Sequence, residues 1–134
     1  MSPHFPVATF AYAADEAMSS LSELANIDLD QYSQDVQITR DRVVRRLEAA
    51  LNTSSAWGYK PGQDEAVAAY IELTRAMELT EILWWSLRVS TREHRAALDL
   101  SRNITKMRLI LVETAPIAAD LDETVRQVSL AAVC

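Results

Sequence analysis

The stretch AVAAYIELTRAMELTEILWWSLRV, residues 66–89, decides the fold. Ala66, Ala69, Tyr70, Leu73, Ala76, Met77, Leu83, Trp84 and Leu87 recur at spacings of three and four, the signature of one apolar helical face. Val67, Ile71, Ile82 and Trp85 form a second stripe beside it. The first half of the segment is small and permits close helix packing. The second half, from Leu79 to Leu87, is bulky and nearly apolar all round. Such a helix needs neighbours on two sides, so the segment predicts a long central helix over 63–89 in an all-α bundle.

The rest of the chain supplies those neighbours. Residues 1–12 carry two prolines and no helical period, and are read as an extended arm whose Phe5, Phe10 and Tyr12 lie against the body. Helices are expected over 13–27, 29–51, 91–115 and 117–132, giving a four- to five-helix bundle in a single domain spanning 1–134. Asp28 or Asp30 is placed to cap the second helix. Asn52-Thr-Ser-Ser and Pro61-Gly62 read as the stop and turn that follow it. Ser90-Thr91-Arg92-Glu93 has the placement of a capping box, which starts the fourth helix at Thr91. That helix carries Ala97, Leu100, Ile104, Met107 and Leu111 inward, and Pro116 ends it. Arg40 falls within the apolar stripe of the second helix, with its stem expected along the edge of the core.

Composition bounds the function. The chain has 134 residues, 49% of them hydrophobic, with two glycines and a formal net charge of -6. An acidic protein of this kind is a poor partner for nucleic acid or anionic lipid, both of which need a basic footprint. No run approaches the roughly 20 apolar residues that cross a bilayer. The single cysteine, Cys134, and a start without a basic, then apolar, leader fit a cytoplasmic setting. No cofactor or metal is expected. Glu78 and Glu81 could offer two carboxylates, but the chain lacks the Glu-x-x-His motifs of a diiron bundle and the downstream Glu-x-x-Asp of an all-helical pyrophosphohydrolase.

Charge is unevenly distributed. All charges from Asp15 to Asp35 are acidic, whereas Arg92, Arg95, Arg102 and Lys106 share one side of the fourth helix. The leading expectation is a small helical interaction or regulatory protein, non-enzymatic, that forms a homodimer and occupies a surface on another, acidic protein. Trp57, Tyr59 and Trp85 supply apolar anchors and the basic strip supplies steering. A second reading is a binder of apolar small molecules, with a pocket lined by Tyr70, Met77, Trp84, Met107 and Leu111. A third rests on Arg88 and His94, separated by five residues at the end of the long helix. This spacing resembles the active motif of the HEPN family of helical ribonucleases. The resemblance implies a dimer in which an arginine and a histidine from each subunit meet and cleave RNA without metal.

Overall fold

A computed structural model describes residues 5–55 and 61–114, and four helices account for most of them: α1 (Val7–Asn26), α2 (Gln34–Ser55), α3 (Gln63–Ser86) and α4 (Arg92–Thr114). Their backbones approach each other as a closed ring, α1 on α2, α2 on α3, α3 on α4 and α4 back on α1, and the diagonal pairs stay apart. This is a four-helix bundle with no strand among the described residues. The seam between α1 and α4 is the most extensive. Ala13, Ala14 and Ala17 on α1 and Ala96 and Ala97 on α4 are all buried, and such short side chains let helix axes draw close.

The core follows the periodicity of the sequence. Val43, Leu47 and Leu51 of α2, Ala66, Leu73, Ala76 and Leu83 of α3, and Ala97, Leu100, Ile104, Met107 and Leu111 of α4 are all fully enclosed. Removing each such side chain from water contributes about 1.5–3 kcal/mol for the larger aliphatics. No described helix is long and apolar enough to cross a membrane.

Several boundaries differ from the sequence reading. The arm is shorter than expected, because α1 begins at Val7. The Phe10 amide donates to the Pro6 carbonyl, and Phe10 joins Ala14, Ala17, Leu21 and Leu24 on one buried face. Phe5 is buried against Phe10, with ring centroids 5.2 Å apart, but Tyr12 points to solvent at 65% exposure. Helix α2 starts later, since Asp28 closes a local turn onto the Asp30 amide and Leu29 drops into the core. Ser33, rather than either aspartate, sits before α2 and accepts from the Val36 amide. At its far end α2 runs on through Asn52-Thr-Ser-Ser. The Thr53 and Ser54 hydroxyls donate to the carbonyls of Ala49 and Ala50, so residues read as a stop are satisfied within the helix.

Between α3 and α4 the chain does turn. Leu87 is extended and Ser90 takes a left-handed conformation with φ 69°. The cap is Thr91, whose hydroxyl accepts from the His94 amide, so the expected box between Ser90 and Glu93 is not the one formed. The helix expected over 117–132 lies outside the described residues.

Candidate functional site

Alternating helix directions bring the α1–α2 connection and the α3–α4 turn to the same pole of the bundle. Tyr32 joins them. Its hydroxyl donates to Glu93 Oε2 (3.2 Å) and accepts from the Arg88 amide (3.1 Å), while the Arg88 guanidinium lies 5.3 Å above its ring. Glu93 is buried, an unusual state for a carboxylate. Burial pushes its pKa up, but its own backbone amide, the Thr91 side chain, the Tyr32 hydroxyl and the nearby Arg88 charge together outweigh this and hold it below the ordinary value. The carboxylate is a structural latch, charged and fully engaged.

Arg40 works on the same pole. Its Nη1 donates to the carbonyls of Leu24 (3.1 Å) and Ile27 (2.8 Å), and its Nε to Asp41 (2.9 Å). The guanidinium therefore caps the end of α1, where carbonyls lack helical partners and the dipole is negative. The Arg40 side chain is only 16% exposed, in keeping with a stem along the edge of the core, and its guanidinium is held by the backbone carbonyls and by Asp41. Beside it lies an open cleft of about 480 Å³, bordered by Glu23, Asn26, Asp28, Gln31, Arg92 and Glu93. Arg92 Nε reaches Glu23 Oε1 at 3.4 Å along this border.

Around the corner, at the end of α3, two adjacent tryptophans have opposite fates. Trp84 is half-buried, with His94 stacked on it at 5.0 Å and Trp85 set edge-on at 4.8 Å. Its indole N–H is buried with no acceptor among the described residues. Trp85 is 77% exposed, as is Val89, and Ile82, one turn before Trp85, is 58% exposed. Helices α2 and α4 flank α3 on two sides, as its sequence requires, and neither covers the Trp85 side. The outward side keeps its apolar residues in water.

The remaining candidates are dispersed. Arg88 and His94 flank one turn, yet each is engaged by a different neighbour, Arg88 by Tyr32 and Gln31 and His94 by Trp84. Arg95, Arg102 and Lys106 are exposed on α4 with no ion pair recorded among the described residues, and Arg92 is exposed but tied to Glu23. Trp57 and Tyr59 lie outside the described residues. Of the proposed pocket, Tyr70, Met107 and Leu111 are buried core residues, and Met77 and Trp84 are half-buried.

The sequence reading missed what fills that seam. Arg108 inserts from α4, donating to Thr74 Oγ1 (2.9 Å) and Tyr70 Oη (3.2 Å) and lying 5.0 Å over the Tyr70 ring, with Met77 Sδ 3.5 Å away. Its spacing of four from Ile104 was the available signal. Glu78 and Glu81 are both exposed, and Arg75 pairs instead with Glu72 (3.8 Å). No group of metal-ligating side chains converges among the described residues. No family model matches the chain, and no curated protein or solved structure matches it either.

Proposed function

We propose that this chain is a protein–protein interaction module that docks through the ridge of Trp85 and Val89, with the cations of α4 selecting an acidic partner. The observation that carries the reading is the 77% exposure of Trp85. An indole left in water forgoes about 3 kcal/mol of transfer free energy, which a partner's apolar groove recovers. Trp84, itself stacked on His94, meets the Trp85 ring edge-on at 4.8 Å, a contact that favours the outward position of the indole. Tryptophan is the kind of residue that dominates interface energetics. Arg95, Arg102 and Lys106 on the adjoining helix favour a negatively charged partner and speed its approach.

The test is affinity capture from native lysate with the wild type, Trp85→Ala, and a double variant, Arg95→Glu with Arg102→Glu. A specific protein should be retained by the wild type, lost with Trp85→Ala, and weakened by the charge reversal. Identical recovery by all three would sink the proposal. Nucleic acid recovered in place of protein would instead favour the ribonuclease reading of Arg88 and His94, which at present has their spacing as its support.

A further inference from the structure

Where α2 meets α3, away from the seam with α4, the surface carries an open cleft of about 710 Å³. Arg42, Arg45, Arg46 and Ala49 line it from α2, and Glu72 and Leu79 line it from α3. The three arginines are exposed and make no recorded ion pair among the described residues. Acids close by are engaged elsewhere or stand clear. Asp41 accepts from Arg40 Nε at 2.9 Å, and Glu72 meets Arg75 at 3.8 Å. Glu48, three residues past Arg45, is exposed and makes no recorded pair with it.

Cations so placed repel one another. Residues three and four apart on a helix are surface neighbours, and like charges at that spacing weaken the helix. The cluster also runs against the net charge of -6 of the whole chain. Its shape differs from that of the basic residues on α4. Arg95, Arg102 and Lys106 stand in a row about 16 Å long, at 1.5 Å per residue, which suits an extended acidic surface. Arg42, Arg45 and Arg46 rise only about 6 Å and form a compact triangle. A compact triangle of cations suits a compact anion that carries several charges.

We propose that this cleft binds an oligophosphate, with the three guanidinium groups as its anchors. Each guanidinium is planar, keeps its charge, and presents a fork of donors that matches phosphate oxygens. A single phosphate, with about -1.5 to -2 charge at neutral pH, leaves one cation unmatched, whereas linked phosphates meet all three within one short span. Glu72 is the one acid in the lining, and its pairing with Arg75 tempers its repulsion of the ligand. Past Ala49 and Glu72 the surface continues into an apolar cleft of about 410 Å³ floored by Ala50, Ala68 and Ala69. A nucleoside joined to the phosphates has room there, so a nucleoside triphosphate and free tripolyphosphate offer the arginines the same chemistry. The site uses neither Trp85 nor the cations of α4, so it stands or falls apart from the docking ridge.

Isothermal titration calorimetry of the full chain with tripolyphosphate, at about 20 mM salt where charges are least screened, tests the site. One equivalent should bind. Arg42→Gln and Arg46→Gln should each weaken binding by about tenfold, the loss of one charge-assisted contact. Arg46→Lys keeps the charge without the fork and should fall between Arg46→Gln and the wild type. Arg95→Gln combined with Arg102→Gln on α4 should bind as the wild type does. Inorganic phosphate at equal ionic strength should bind at least about tenfold more weakly than tripolyphosphate. ATP binding more tightly than tripolyphosphate supports the site with a nucleotide as its ligand; equal or weaker binding supports it with a free oligophosphate. Circular dichroism confirms that each variant is folded. No binding of tripolyphosphate, indifference to the α2 variants, an equal loss in the α4 variant, or phosphate binding as well as tripolyphosphate overturns the proposal.

Discussion

Three residues bear loads that their types alone would not announce. Glu93 is a buried acid whose charged form is favoured, so the sign of its pH effect follows directly. Its stabilisation is complete above the ordinary value of 4.5 and is lost as pH falls through the lower value it has in the folded chain. Urea unfolding across this acid range should therefore show the wild type weakening, and Glu93→Gln should flatten that dependence. Arg40→Ala removes two charge-assisted bonds to the end of α1 and is expected to cost about 2 kcal/mol, measured by the same method. Ser90 is a different case, since its φ of 69° belongs to the region where only glycine is at ease. Ser90→Gly should raise stability by about 0.5–1 kcal/mol, and a loss would show that its hydroxyl matters more than its backbone.

At the level of the element, what could be read in advance was periodicity. The inward stripe of α4, Ala97 through Leu111, is fully enclosed, because spacings of three and four admit only one face. Boundaries were harder. Asn52-Thr-Ser-Ser looks like a stop because hydroxyl residues favour turns, yet here they bond back to carbonyls one turn earlier and α2 continues. Arg108 was hidden for another reason: a charged residue beside an apolar stripe reads as surface until the neighbouring helix presents Thr74 and Tyr70 to receive it. The seam between α3 and α4 depends on that side chain as filler as much as charge. Arg108→Met should keep the stability within about 1 kcal/mol, whereas Arg108→Ala should lose about 2 kcal/mol in thermal or urea unfolding. Equal losses would assign the role to the charge. The exposure of Trp85 was only half legible, since the amount of apolar surface can be counted from sequence but the side on which neighbours stand cannot.

For the whole molecule, a closed ring of four helices explains why an apolar ridge can stand exposed on a helix whose other sides are covered. Each member spends two sides on its neighbours and one on the core, leaving a single outward side free for other work. Trp85→Ala should accordingly leave the unfolding free energy within about 0.5 kcal/mol of the wild type while abolishing partner capture; a large loss of stability would return this residue to the fold. Ring closure has one more effect, on the history of the chain. The broadest seam joins α1 to α4, the first and last described helices to leave the ribosome. Until α4 emerges, the α1 side of that seam has no cover, and the half-made protein presents an amphipathic helix to its surroundings. Quality control during synthesis thus meets its greatest exposure at the stage when three helices are out and the fourth is still being made.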